Sequence, residues 1–330
     1  MATYYVWDGG SNGDGTDWTS AKTTLAGAIA LASANGDVIK VAHTHTGDNA
    51  LAVDTTWTAL NNISIVSVDK TSSDAPTPMG TAAWIGSSST SITLTITGAY
   101  RVKVSGLTLR NAGPSQKKIW LSTSDGGAFY LENCYLWLGN TSDTSWMQFG
   151  PSSAVNNNVT VKNSTFRLGH ASQALYSSGS NSFLGCTISS DGIAPNTLFG
   201  SSVGGTSTDL IGCDFSRCGS GTLVANQTTY SSIFRFIQCK LGTNYVARAT
   251  PSSPANAANG QTWIIDCSSG DTHGLFGYYD GQGALTSDTG VYVTAGASQQ
   301  SWKIVTTSGN GPERPFRTPW ISLCNTLTES

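Results

Sequence analysis

The sequence predicts an all-β parallel β-helix, a solenoid with one short capping α-helix at its N-terminal end. Three observations lead there. A degenerate repeat recurs every 22 to 30 residues. Five of the seven cysteines fall at one position of that repeat. Strand-like alternation dominates from about residue 57 onward, and a single stretch shows helical periodicity.

The N-terminal unit, residues 1–48, comes first. Tyr4-Tyr5-Val6-Trp7 alternates as a short strand does, and Asp8 to Asp17 is dense in glycine, asparagine and aspartate, the composition of a turn. Leu25, Ala28, Ile29 and Ala32 then fall at i, i+3, i+4 and i+7, one face of a helix over about 23–34. Thr23 or Thr24 caps its start, and Asn35-Gly36 offers a left-handed stop. A strand over Asp37–Val41 follows.

Residues 49–289 are read as the coils. Ile63–Val68, Ile92–Thr97 and Arg101–Val104 alternate. The repeat core is two alternating apolar residues, a small or polar residue, an anchor that is cysteine or small, and one more apolar residue. Its anchors are Leu107, Cys134, Ser164, Cys186, Cys213, Cys239 and Cys267, spaced by 27, 30, 22, 27, 26 and 28. Three short strands and their turns fill such a period. Consecutive coils then stack as parallel strands about 4.8 Å apart. Period variation is assigned to protruding turns at 139–158 and 250–260. Residues 290–330 carry Pro312, Pro315 and Pro319, which remove ladder donors, and are read as an end cap and extended tail.

In such a stack the cysteines form an inward ladder. Metal ligands must converge on one ion, which a linear column does not do. Stacked side chains point the same way and hold their Cβ atoms too far apart for a comfortable disulfide. The ladder reads as small apolar thiols. The opening residues lack a basic stretch followed by an apolar one, so no signal peptide is expected and the thiols are expected to be reduced.

Composition excludes several classes. Charged residues are 11% of the chain and net charge is −3, so hydroxyls and amides dress the surface. Ten Trp, eleven Tyr and ten Phe argue against disorder. Seventeen scattered basic residues and a pI near 5.7 give no positive field for nucleic acid. The longest weakly polar run, residues 25–34, is too short to span a bilayer.

The opening Tyr4-Tyr5-Val6, Asp8-Gly9-Gly10, Asp14-Gly15 and Trp18, the short helix, and Gly36-Asp37-Val38-Ile39-Lys40-Val41 resemble the first segment of the right-handed parallel β-helix proteins of the pectate-lyase-like superfamily. The resemblance covers residues 1–48 and, through the coil period, about 92–270. It implies that the helix closes the first coil. It also extends to structural proteins of tailed bacteriophages with this fold, tailspikes and capsid decoration proteins.

Enzymes of that superfamily need clustered carboxylates. Here they are sparse: Asp125, Glu132, Asp143, Asp191, Asp209, Asp214, Asp266, Asp271, Asp280 and Asp288, with no Asp-Asp pair. Asp214 follows its anchor and Asp266 precedes its own, which by alternation would put them on opposite faces. Asp8 to Asp17 fails the EF-hand pattern and reads as a tight turn. His43 and His45 would share one strand face, without a third ligand; His170 and His273 are isolated. Trp137, Trp146, Phe149, Tyr278 and Tyr279 are candidate exposed aromatics, for stacking sugars or forming a subunit interface. No catalytic, cofactor or metal residue is assigned. The expected function is a non-enzymatic virion protein of a tailed bacteriophage, a homotrimeric capsid decoration (cement) or head-spike protein that binds the major capsid protein or another virion protein. The alternative is a tailspike or depolymerase acting on cell-surface glycan. Neither nucleic acid nor a membrane is expected as a partner.

Overall fold

The computed structural model describes residues 1–47, 55–87, 92–96, 99–111, 118–123, 126–139, 145–150, 158–201, 206–225, 232–248 and 261–280. It is a β-solenoid of about six turns with mostly parallel strands. One turn shows the plan. Arg101–Ser105 lies in a first sheet, Thr108–Asn111 in a second and Lys118–Thr123 in a third; the chain returns to the first at Ala128–Glu132. The proposed tail, 290–330, and the turn at 250–260 lie outside the described residues, as does most of 139–158.

The strands form where alternation permits one face to be buried. In the first sheet Val104, Leu131, Val161, Phe183, Leu210, Phe236 and Ile264 stand in one register column, every one buried. Inside the prism the rings of Phe149, Phe183 and Phe199 meet edge-on at 5.1 and 5.3 Å. Part of the polar inner wall pairs: Ser177 and Thr208 share a hydrogen bond of 2.7 Å, and Asn181 Nδ2 donates to Ser177 Oγ, while Asn181 Oδ1, Ser232 Oγ and Thr262 Oγ1 are buried without a partner among the described residues.

The N-terminal helix α1, Leu25–Leu31, is capped by Thr24, whose Oγ1 accepts from Gly27 N–H. It buries Leu25, Ala28 and Ile29 and packs on the first strands, Thr3–Val6, Asp37–Ala42 and Thr55–Ala59. The helix is shorter than the sequence predicts. It stops at Ala32, four residues before the left-handed Gly36, because Ala32 leaves helical ψ while still donating to Ala28 and Ile29 carbonyls. At the other end Thr272–Asp280 folds back antiparallel on Gln261–Ser269, covering part of an otherwise open edge.

Between the first and second sheets the chain turns within two residues. The residue before each anchor has positive φ: Gly106, Asn133, Asn163, Gly185, Gly212, Gln238 and Asp266, from +47° to +72°. This is why the repeat demands a small or polar residue there; glycine and asparagine enter the left-handed region with least steric penalty. Each of the first six donates its N–H to a carbonyl of the next turn, as Gly212 does to Ile237 at 2.9 Å.

The anchors stack as the sequence predicts. The N–H following each anchor donates to the carbonyl of the anchor one turn back, unbroken from Leu107 through Cys239. Cys134, Cys186, Cys213, Cys239 and Cys267 are buried and free. They are more than apolar filler. Each Sγ donates to a carbonyl two residues back and to one in the preceding turn, as Cys213 does to Ile211 and Phe183. Ser164 fills the same column and donates to Lys162 O at 2.8 Å. Burial pushes the Cys134 thiol up to about 11; a hydrogen bond to the preceding thiol, with burial, pushes Cys213 and Cys239 to about 12.

At Gly212 nothing lies within 4 Å of an added Cβ, so Gly212→Ala isolates the backbone penalty. It is expected to lower unfolding free energy by about 1–2 kcal/mol in denaturant titration, whereas Gln238→Gly stays within about 1 kcal/mol of the parent. The raised thiols hold their protons longer in the folded state than unfolded. Their contribution is whole below the unfolded thiol value near 8.5 and falls as pH climbs toward about 11–12. Melting temperature should therefore drop above about pH 9, and replacing Cys134, whose rise comes from burial, with serine should blunt the drop.

Candidate functional site

The outer face of the second sheet carries a stack that follows from anchor arithmetic. Arg110, Trp137 and Arg167 each lie three residues after an anchor. Their strands, Thr108–Asn111, Tyr135–Leu138 and Thr165–Arg167, pair in register, so the three side chains form one column. Arg110 Cζ sits 4.1 Å from the Trp137 ring centroid and Arg167 Cζ 4.2 Å from it on the pairing strand's side. On the preceding strand the register position opposite Arg110 is Gly86, and the ring of Trp84, two residues earlier, lies 5.0 Å from the Arg110 Cζ. Cation–π attraction of this kind strengthens as the cation is desolvated.

The two guanidiniums differ. Arg167 is paired with Asp191 at 3.3 Å, and Asp191 also accepts from Ser189 and Tyr135 hydroxyls. The Ser189 hydroxyl, then Arg167, hold the Asp191 carboxyl below its usual range despite partial burial. Arg110 has no carboxylate partner among the described residues, and its Nε is buried without a hydrogen-bond partner. Burial, then the like charge of Arg167, lowers its pKa.

The outer face of the third sheet carries an aromatic stripe. Lys118 Nζ lies 3.7 Å over the Trp120 ring, and the rings of Trp146 and Tyr176 meet edge-on at 6.1 Å. Trp120 and Tyr176 share a register row that ends at Gly200. A Cβ on Gly200 would lie 2.8 Å from the Tyr176 ring, so glycine lets that ring lie against the sheet.

Of the aromatics singled out from the sequence, Trp137 and Trp146 face outward and are half-buried. Phe149 does not: it is fully buried and packs on Phe166 and Phe183. Parity explains the correction, since Phe149 lies an odd number of residues from the outward Trp146 in one strand. The side chains of Tyr278 and Tyr279 lie outside the described residues.

The histidines also differ from expectation. The strand ends at Ala42, so His43 and His45 sit in a turn instead of sharing a strand face. His43 Nδ1 approaches Val68 O at 3.3 Å, while His45 is fully buried. His170 accepts from Ser172 N–H within a turn, and His273 is exposed.

Several carboxylates on the coils pair with cations one turn away. Glu132 pairs with Lys162 at 3.1 Å, Asp209 with Arg235, and Asp214 with Lys240 at 3.5 Å. Asp214 and Asp266 both face solvent, against the expectation of opposite faces. Both lie one residue from a buried anchor, Asp214 after Cys213 and Asp266 before Cys267, and an odd offset in either direction puts a side chain on the outward face. Asp271 lies in the turn before the closing strand. Asp125, Asp143, Asp288 and the Asp280 side chain lie outside the described residues. In the N-terminal turn Asp14 accepts from Thr16, Asp17 from Ser20 N–H, and Asp8 from Thr46. These bonds hold Asp14 and Asp17 below their usual range, with Ser20 the largest influence on each. Among the described residues no group of three or more metal-ligating side chains converges, and no helix is long and apolar enough to cross a membrane.

No protein-family model, curated protein or solved structure matches this chain. The solenoid offers rigid outer walls with aromatic and cationic columns, and several acids neutralised in place.

Trp137 is held between two cations, so Trp137→Ala should destabilise the solenoid by about 2–4 kcal/mol, combining lost burial with two cation–π contacts. Trp137→Phe, which retains a ring, should lose less than half of that in denaturant titration.

Proposed function

We propose that the protein is a non-enzymatic structural component of a tailed-bacteriophage particle, a homotrimeric capsid decoration or head-spike protein. One observation carries the reading: four of the described coil acids are committed to ion pairs, and Asp266, an exposed fifth, meets only the Gln238 amide among the described residues. Glu132, Asp191, Asp209 and Asp214 each face a Lys or Arg and are dispersed, Glu132 and Asp209 on first-sheet strands, Asp191 in a turn and Asp214 at an isolated bridge. General acid–base or retaining chemistry on a glycoside needs two carboxyls opposed across one bond. Acids locked singly to cations serve wall rigidity instead.

Other features support the same reading. The chain resembles pectate-lyase-like β-helix proteins, among them phage surface proteins, although the solenoid alone does not choose among their uses. A surface with few charges and a net charge of only −3 lets many copies pack closely without strong mutual repulsion.

A second reading is favoured by the third-sheet stripe of Lys118, Trp120, Trp146 and Tyr176. Aromatic rings beside a lysine on a hydroxyl-rich wall suit a cell-surface glycan, as in a tailspike.

Purified protein should sediment as three times 34.4 kDa. Added to capsids stripped of it, it should bind and raise the temperature at which they release their contents. Release of reducing ends or unsaturated sugars from host capsule, without capsid binding, would establish the second reading in its place.

A further inference from the structure

The second-sheet column has a property that the wall does not require. A structural stack is complete when each cation is neutralised, as Arg167 is by Asp191. Arg110 is clamped between Trp84 and Trp137 at 5.0 and 4.1 Å, half-buried, with its Nε buried and without a hydrogen-bond partner and, among the described residues, no acid opposite it. The cluster of Arg110, Arg167 and Asp191 therefore keeps one positive charge in excess. A desolvated, immobilised guanidinium has its entropy loss already met, and an incoming carboxylate gains the full charge-assisted hydrogen bond.

The occupant's chemistry follows from what the column leaves open. Sugars bind aromatic side chains by lying on their faces, yet Arg110 and Arg167 flank Trp137 at 4.1 and 4.2 Å. No pyranose can stack there. What remains is the edge of the stack, with Tyr135 and Ser189 hydroxyls beside it. Trp, Tyr and Arg presented edge-on along a straight wall are the composition of a protein–protein hot spot. We propose that the second-sheet face is a docking surface for a partner protein that places an Asp or Glu carboxylate on Arg110, with Trp84 and Trp137 as its apolar flanks. That the partner is a virion protein rests on the reading given above; that it is an acidic protein surface rests on the column alone.

Asp191 competes for the second cation. Two turns separate Arg110 from Arg167, about 9–10 Å at the parallel-strand spacing. Freeing Arg167 would offer a second cation within reach of an acidic segment, so removing Asp191 should strengthen binding while removing Arg110 weakens it.

The probe is a hexaglutamate peptide, titrated against the full-length protein at low salt and followed by tryptophan fluorescence and calorimetry. R110Q should weaken binding by about tenfold or more, the worth of one charge-assisted contact. K103Q, on the first sheet, should leave it unchanged. D191N should tighten it several-fold, an outcome that a misfolded variant cannot produce. Equal affinity across all four proteins would overturn the proposal, as would the absence of tightening in D191N. Arg110-dependent binding of oligogalacturonate as strong as hexaglutamate would assign the face to saccharide instead. Self-association that R110Q abolishes in sedimentation would assign it to a second copy. Capsid binding is measured separately: its loss with the peptide result intact would retire the virion reading and leave the docking face standing.

Discussion

The structure depends on one constraint, that every turn must reach the first-to-second corner in register with the turn below. At that corner a residue of positive φ bends the chain, and the next residue points inward as the anchor. The corner N–H and the N–H after the anchor bond to different turns, so each anchor is tied on both sides along the stack. Because this fixes the register, turns of 22 and 30 residues coexist. Excess length is confined to the connections between the other sheets, where it does not disturb the stack. The thiols serve the same corner. A cysteine fits the narrow inner angle, presents a weak donor to two carbonyls, and adds little polarity.

Much of this was legible in the sequence, because inward positions repeat and selection for fit leaves a visible mark. Cys186, Cys213, Cys239 and Cys267 mark four consecutive corners, and the alternation around them marks the walls. The reason for the small or polar residue before each anchor was not legible as a pattern of identity. Glycine, asparagine, glutamine and aspartate all occupy it, and only their shared φ unites them. The helix end was overread because alanine continues beyond Leu31, and composition does not register that the backbone has already turned.

The outer column was legible in principle. Once anchors are numbered, Arg110, Trp137 and Arg167 share an offset of three, and parallel pairing places them one above another. What sequence does not reveal is how the charges divide. Asp191 reaches Arg167 from a turn beyond the strand, with Ser189 and Tyr135 fixing its orientation, and no offset rule supplies that contact. Phe149 shows the reverse error. Its local sequence looks like a surface loop, but its parity in a four-residue strand sends it inward.

The column rule also gives a physical reason for the low charge of the chain. In a solenoid each outward side chain has a counterpart directly above and below, about 4.8 Å away. A repeat that multiplied one charged residue would stack like charges along the whole wall, so a low charge content avoids that cost, and several of the charges present are opposed by a neighbour. Glu132 lies between Lys103 and Lys162, Asp209 meets Arg235, and Asp214 meets Lys240. The second-sheet column obeys the rule by other means. Two arginines of like charge share it because an aromatic ring stands between them and offers its electron-rich face to both. Screening by a ring moderates repulsion but leaves the charge uncancelled. Asp191 removes half of the remainder from the Arg167 end, and the imbalance is concentrated at Arg110, the member of the stack that meets no acid among the described residues.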